Sequence, residues 1–202
     1  MEIACNVTRL APAAEQLVNL ATAERWRGQS TTPRTGAELV DGLVEVLSAA
    51  TVAALRAQPG SGADLEDLAR EIRAVVEAPG AQENAALINA LIERYQARPY
   101  LVEDVGQPFH LHFHGSGGTA VHALGGEFAA MLALVVDGYG ADRFGRCRAA
   151  GCDAVYIDLT RNGSRRHCSP ACTARAKTAA YRDRKRQHAT VPAGEAHVEA
   201  RE

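Results

Sequence analysis

The sequence is poor in aromatic residues, which make up 5% of its 202 residues, although 47% are hydrophobic. Alanine is abundant instead, and this favours closely packed helices over a sheet-rich fold. No apolar run approaches the roughly 20 residues that a membrane helix requires, so we expect no membrane span. Residues 1–16 lack a basic start followed by an apolar core, which argues against secretion and predicts a cytoplasmic location.

Motifs of the common enzyme classes are also missing. The sequence has no GxxxxGK[ST] phosphate loop, no G-x-S-x-G nucleophile elbow and no HExxH zinc-protease helix. A nuclease built on a small zinc module would need a catalytic histidine and a second metal site. His167 and Asp158 are the pieces at hand, and they are too few, so we expect no enzymatic activity.

Four of the five cysteines stand close together, as Cys147-x4-Cys152 and Cys168-x3-Cys172, with fifteen residues between the pairs. Each pair can place two thiolates on one tight turn, and the intervening chain can fold back to form a tetrahedral zinc site. In a cytosolic protein such cysteines are metal ligands more often than disulfides. We predict one structural zinc ion; redox thiols and an iron–sulfur cluster are the alternatives.

The residues around these cysteines predict a small module of treble-clef-like geometry. His167 could replace a cysteine ligand, but four thiolates already complete the tetrahedron, which leaves no open position for catalysis. In chain order we expect a knuckle over 147–152 with Gly151 in its turn, a strand over 155–159, a turn at Asn162–Gly163, an antiparallel return over 165–168, and a helix capped by Ser169 that runs from Pro170 to about Gln187.

Charge is distributed unevenly along a chain whose formal net charge is −2. Residues 143–188 carry twelve Lys and Arg against three acids (+9), and the remainder carries ten against twenty-one (−11). A basic module on an acidic body indicates a polyanion partner, because guanidinium groups bind phosphate oxygens and release counterions. The candidate DNA-binding residues are Arg165, Arg166, Arg175, Lys177, Arg182, Arg184, Lys185 and Arg186. The alternative is an adaptor whose basic module binds an acidic protein partner or the acidic body itself.

The body before this module is predicted to be helical. Apolar residues recur at helical spacing over about 13–26, 35–58 and 64–78, before Pro99 and after Gly118. The second of these helices has a capping-box pattern at Thr35 and Glu38. Two short strands are expected at Tyr100–Glu103 and Phe109–His114. A homodimer is compatible with reading two half-sites, but no dimer surface can be identified from the sequence.

The second of these strands alternates strictly between apolar residues and histidines. We expect Phe109, Leu111 and Phe113 to face the core and His110, His112 and His114 to share the opposite face. The three imidazoles form a candidate pocket for a small-molecule ligand or a metal. The alternative is a solvent-facing strand, since residues at i, i+2 and i+4 are too far apart to reach one ion comfortably.

The module resembles a known family. The segment Arg165-Arg-His-Cys-Ser-Pro-Ala-Cys-Thr-Ala-Arg-Ala-Lys177 is similar to the C-terminal CGNR zinc finger of bacterial proteins, although Thr173 and Ala174 replace the Gly-Asn of its signature. In that family the finger follows an alanine-rich ABATE domain. The resemblance implies a stress-related transcription regulator whose finger binds DNA and whose N-terminal domain senses a ligand or stress signal.

We therefore predict a mainly α fold with a small β-hairpin. It divides into an ABATE-like helical domain at 1–140, a treble-clef-like zinc finger at 141–188 and a disordered tail at 189–202.

Overall fold

The computed structural model describes residues 4–103 and 109–189, and this part of the chain is mainly α-helical. Its seven α-helices are α1 (Ala4–Thr22), α2 (Gly36–Asp41), α3 (Ala49–Ala57), α4 (Ser61–Glu77), α5 (Ala81–Tyr95), α6 (Ala120–Tyr139) and α7 (Pro170–Ala189). Three antiparallel pairs of strands accompany them: β1 (Arg25–Trp26) with β2 (Gln29–Ser30), β3 (Arg98–Val102) with β4 (His110–His114), and β5 (Phe144–Arg146) with β6 (Val155–Ile157). The predicted fold class is confirmed.

The core of the body lies between α1, α4 and α6, and α5 packs against α6. Leu65, Leu68, Ile72 and Val75 of α4 are buried, as their helical spacing predicts. The predicted inward residues of α6, including Phe128 and Leu132, are buried as well. Apolar periodicity therefore located these helices correctly.

The second predicted helix is divided in two. α2 ends at Asp41, and α3 begins after Ser48, whose Oγ accepts a hydrogen bond from the Thr51 amide at 3.1 Å. The capping box is absent, because Thr35 makes no side-chain cap and the Gly36 amide donates to Glu66 of α4 at 3.1 Å. A tertiary contact has replaced the local one.

α6 is long and apolar enough to cross a membrane by length and composition, with a mean hydropathy of 1.5 over its most apolar window. The expectation that no run approaches that length was therefore wrong. Ten residues of this helix are buried in the protein, against α1, α5 and β4. It is the core helix of the body.

The β3–β4 pair differs from its prediction. Phe113 is half-buried, but Phe109 is 65% exposed and Leu111 lies across from Leu101, which is 71% exposed. Alternation fixes which side chains share a face, but whether that face meets a core depends on the neighbours. Here α6 covers the pair incompletely, so part of the apolar face remains in solvent.

The β5–β6 pair joins the cysteine-rich segment to the body. Val155 and Ile157 of β6 belong to the main hydrophobic core. The Asn19 side chain of α1, which is 3% exposed, donates to the Val155 carbonyl at 3.0 Å and accepts from the Val155 amide at 2.7 Å. The Ile157 amide donates to Glu15 at 2.8 Å. Side chains of α1 thus pair with the outer edge of β6 as a neighbouring strand would.

The predicted domain boundary falls at Gly140, where a positive φ of 97° ends α6 before the short 3₁₀ turn Ala141–Arg143. The division of the chain into two domains at this point stays a prediction. The predicted tail lies outside the described residues apart from its first residue, Ala189, which ends α7.

Candidate metal centre and basic helix

The four cysteines of the C-terminal segment converge on one point. The Sγ atoms of Cys147, Cys152, Cys168 and Cys172 all lie within 4.8 Å of one another. Two of the separations, from Cys168 to Cys152 and to Cys172, are 3.7 Å. Ligands about 2.3 Å from a tetrahedral zinc ion lie about 3.8 Å apart, whereas a disulfide would bring two sulfurs to about 2.05 Å. The donor set and its spacing fit one structural zinc ion.

Backbone contacts hold the first pair of cysteines in a knuckle between β5 and β6. The Cys147 amide donates to the Ala154 carbonyl at 2.8 Å, which closes the turn. Gly151 has a φ of +67°, a conformation that side chains disfavour, so glycine suits this turn. The Arg148 amide donates to the Arg166 carbonyl at 3.0 Å, which ties the knuckle to the loop that carries the second pair.

The second pair sits at the start of α7, as predicted. Pro170 is the first helical residue, and the Ser169 Oγ accepts a hydrogen bond from the Cys172 amide at 3.3 Å. This cap fixes Cys172 in the first turn, where it is fully buried. The metal site and the start of α7 are therefore one structure.

The hairpin of this module is not the predicted one. β6 pairs with β5, which precedes the knuckle, and residues 165–168 form no strand. Both edges of β6 are already occupied, by β5 and by side chains of α1, so a return strand has no free edge to pair with. The buried Asp158 instead accepts hydrogen bonds from the amides of Thr160 and Arg165, at 2.8 and 2.7 Å, and closes a loop.

Burial affects the thiols before a metal is bound. It raises the pKa of Cys147 and Cys168, and the neighbouring thiols add to the effect. Burial also opposes ionisation of Cys172, but hydrogen bonds from Ser169 and the other cysteines outweigh it and lower the pKa of that thiol. Because thiolates are the zinc ligands, metal binding at this site releases protons.

Arg165, predicted to bind DNA, is partly buried and contacts other residues of the protein. Its guanidinium forms a bidentate ion pair with Glu15 of α1 at 2.7 and 2.8 Å and lies over the Tyr156 ring at 5.1 Å. It also donates to the carbonyls of Ile157, His167 and Cys168 at 2.9, 3.1 and 2.8 Å. Burial raises the pKa of Glu15, an effect that Arg165 partly offsets. Arg165 therefore joins a metal-ligand loop to the body.

Arg175 is exposed, but its guanidinium also contacts the protein. Its Nη2 donates to the Ala150 carbonyl of the knuckle at 2.7 Å, and its Nη1 lies 3.9 Å from the Cys172 Sγ. A Cβ added to Gly28 would lie 2.2 Å from the Arg175 Cζ, so the β1–β2 turn rests directly on this guanidinium. Arg175 bridges the knuckle, α7 and the body.

The remaining predicted cations are exposed. Arg166 contacts the Gly163 and Arg165 carbonyls on the loop surface. The others lie along α7, where every side chain from Lys177 to Gln187 is exposed: Lys177, Arg182, Arg184, Lys185 and Arg186, the last paired with Asp183. A cavity of about 510 Å³ beside the first turns of α7 is lined by residues that include His167, Thr173 and Lys177.

Sequence reasoning missed a basic turn in the body. Arg27 and Gly28 have φ values of 54° and 87°, which form the tight two-residue turn between β1 and β2. The exposed Arg27 lies over the Trp26 ring at 5.0 Å, and the turn meets α7 at Arg175. The Arg-Gly pair between short polar segments was the available signal. Arg27 therefore adds a cation beside α7.

The ligand pocket predicted at the three histidines stays a prediction, and the side chains described among them are those of His112 and His114. His114 contacts Glu127 at 3.0 Å, and the rings of His112 and His114 are 6.0 Å apart. The cavity beside His112 has a volume of about 10 Å³, room for about one water molecule. The side chain of His110 lies outside the described residues. Among the residues that are described, the cluster suited to a metal is the set of four cysteines.

Comparison with known families agrees with the geometry. Residues 143–185 match the family model of the CGNR zinc finger, and this range contains all four cysteines and most of α7. No curated protein matches the chain.

Proposed function

We propose that this chain, which carries a CGNR zinc finger at residues 143–185, is a non-enzymatic, cytoplasmic DNA-binding regulator of transcription. The observation that carries the proposal is α7, a helix whose start belongs to the metal site and whose side chains from Lys177 to Gln187 are all exposed. It bears six Lys or Arg and one Asp. An exposed helix with that charge, held rigidly at one end, suits the phosphate-lined surface of DNA.

The metal site contributes rigidity rather than chemistry. Cys147, Cys152, Cys168 and Cys172 would hold one zinc ion, which supplies folding energy on the order of 10–16 kcal/mol in short zinc-finger peptides. Its four protein ligands leave no open position. The ion therefore fixes α7 relative to the knuckle, and the Arg165–Glu15 pair fixes the ligand loop relative to α1.

The charges that remain available for phosphate are those on the exposed helix and its surroundings. Arg165 is partly buried against Glu15, and Arg175, although exposed, donates to the Ala150 carbonyl. We therefore assign phosphate contact to Lys177, Arg182, Arg184, Lys185 and Arg186, with Arg166 and Arg27 on the neighbouring loops. When a protein neutralises DNA phosphates, the logarithm of its binding constant falls linearly with the logarithm of the salt concentration. Each phosphate contact contributes about −0.9 to this slope.

The proposal can be tested with charge variants of the zinc-loaded full-length protein on a random-sequence DNA duplex. Arg184→Gln should weaken binding by a similar factor for all sequences and reduce the salt slope by about 1. The matched control is Arg70→Gln, because Arg70 is an exposed arginine of α4 that pairs with Asp67 on the body. Equal slopes for the two variants would reject α7 as the DNA-binding element. Absence of duplex binding by the wild type, with capture of an acidic protein, would favour the adaptor.

For the body we propose a sensory role. A cavity of about 300 Å³ lies between α2, α3 and α4, with Val40, Leu55 and Gln58 among its lining residues, which is at the lower limit for small-molecule sites. Native mass spectrometry of the protein isolated from cells should detect a bound small molecule. Ala37→Trp, which fills the cavity from its rim, should remove it. Identical spectra for the two proteins would exclude this cavity as the sensor.

A further inference from the structure

The cations of α7 are arranged in two rows on either side of a nearly uncharged strip. Successive residues of an α-helix are turned by about 100°, so each position can be placed relative to Cys172, which points at the metal site. Lys177 and Arg184 lie at about 120–140° from it, and Arg182 and Arg186 lie at about 280–320°. The two rows are thus on opposite sides of the helix.

Between the rows lie Ala174, Thr178 and Tyr181, at about 180–240° from Cys172, followed by Lys185 one turn further on. All four are exposed, and Tyr181 has 61% of its surface in solvent. The one acid of α7, Asp183, lies at about 20°, outside this strip, where it pairs with Arg186.

This arrangement matches the cross-section of a DNA major groove. The groove is about 12 Å wide and admits one α-helix, with a row of phosphates on each wall and the base edges on its floor. We propose that α7 enters the major groove with Thr178 and Tyr181 toward the base edges, so that these two residues set sequence preference while the two basic rows bind the opposite phosphate walls. This inference rests on the proposed DNA-binding function.

The two side chains are chemically suited to that position. The Thr178 hydroxyl donates to the Ala174 carbonyl at 3.0 Å, which leaves its methyl group as the apolar contact for a thymine methyl. Tyr181 offers a hydroxyl on a rigid ring, which can donate to or accept from a base edge. Ala174, which stands where the family signature has asparagine, presents only a methyl group and lets the helix approach closely.

Two features of the protein lie beside α7, a cavity and the β1–β2 turn. The cavity lined by His167, Thr173 and Lys177 continues the Lys177–Arg184 row toward the finger loop. On the other side the β1–β2 turn, which carries the exposed Arg27, rests on Arg175. The β1–β2 turn therefore adds one cation, Arg27, beside the helix.

The test compares the sequences that three zinc-loaded full-length proteins enrich from a random duplex pool. They are the wild type, the double variant T178A/Y181A, and the control Gln187→Ala, which alters the back of the same helix. We expect the wild type and the control to enrich one motif. The double variant should lose at least about tenfold of the preference for that motif over random duplex, because one mismatched base pair in a specific site lowers affinity by a factor of about 5–150. Its salt slope should equal that of the wild type, and its affinity for random duplex should stay within about threefold of the wild-type value.

The outcomes separate this inference from the function on which it rests. The same motif and the same preference in T178A/Y181A would overturn the inference and leave DNA binding intact, as would a wild type that binds duplex but enriches no motif. Tighter binding to single strands than to duplex would also overturn it. A wild type that binds no DNA would reject the proposed function itself. Alanine is a strong helix former at these exposed positions, and circular dichroism and zinc content verify that the variants fold.

Discussion

Two adjacent arginines of the finger loop, Arg165 and Arg166, are indistinguishable in the sequence but differ in their surroundings. Both were candidates for DNA contact. Arg165 donates to Glu15 and to three carbonyls, and its side chain is 26% exposed, whereas Arg166 is exposed and contacts two loop carbonyls. We expect Arg165→Ala to destabilise the protein and Arg166→Ala to leave its stability unchanged.

The size of the effect follows from what Arg165→Ala leaves behind. Breaking a buried ion pair by removing one partner costs about 3–5 kcal/mol. Glu15, with a side chain 15% exposed, can relieve part of that by taking up a proton, because burial already raises its pKa. Partial exposure of Arg165 reduces the value further. The three carbonyls that lose a donor increase the destabilisation. We therefore expect a loss of about 3 kcal/mol, or roughly 6–12 °C in Tm for a chain of this size.

Urea unfolding of the zinc-loaded protein measures this directly, and competition with a chromophoric chelator measures zinc affinity in the same samples. Arg165→Ala should weaken zinc binding as well, because its guanidinium holds the carbonyl of a metal ligand, Cys168, at 2.8 Å. Arg166→Ala should stay within about 0.5 kcal/mol of the wild type and instead lower DNA affinity. A loss below about 1 kcal/mol for Arg165→Ala would refute the view that this residue joins the finger to the body.

Two further substitutions test how the finger is held. Asn19→Ala removes both hydrogen bonds to Val155 of β6 and leaves two buried backbone groups unpaired. Urea unfolding should therefore show that the free energy of unfolding falls by about 3 kcal/mol. A fall of less than about 1 kcal/mol would contradict the pairing of α1 with β6. Asp158→Asn should cost about 1–3 kcal/mol, since its carboxylate accepts from the Thr160 and Arg165 amides. Burial opposes ionisation of Asp158, but these hydrogen bonds outweigh it and lower its pKa below 3.8, so its contribution is present above that pH and lost as pH falls below it. The difference between Asp158→Asn and the wild type should therefore be constant between about pH 5 and 8, and a change of more than about 1 kcal/mol within that range would contradict this assignment.

The sequence carried enough information to predict the metal site, because its ligands are local. Two short cysteine spacings, one turn glycine and a Ser-Pro helix start determine the knuckle and the beginning of α7, and each is present as predicted. The long apolar periodicities of α4 and α6 were equally sufficient, since burial of one helix face leaves a repeating pattern.

What the sequence did not reveal depends on contacts between distant residues. Pairing of β6 with β5 rather than with residues 165–168 follows from Asn19 and Glu15, which lie far away in the chain and occupy the other edge of β6. The internal role of Arg165 depends on the same Glu15. The exposed apolar face of β3 and β4 depends on how far α6 covers it. None of these partners is encoded by a local pattern.

The measurement that tests the proposed function most directly is the salt dependence of binding to a random-sequence duplex, followed by fluorescence anisotropy. The full-length protein is measured zinc-loaded and again after chelation. Five to seven exposed cations on and around α7 predict a slope of about −5 to −6, which disappears when the metal is removed. A zinc-loaded protein that does not bind even at low salt, or a slope that survives chelation unchanged, would contradict a zinc-held basic helix as the DNA-binding element.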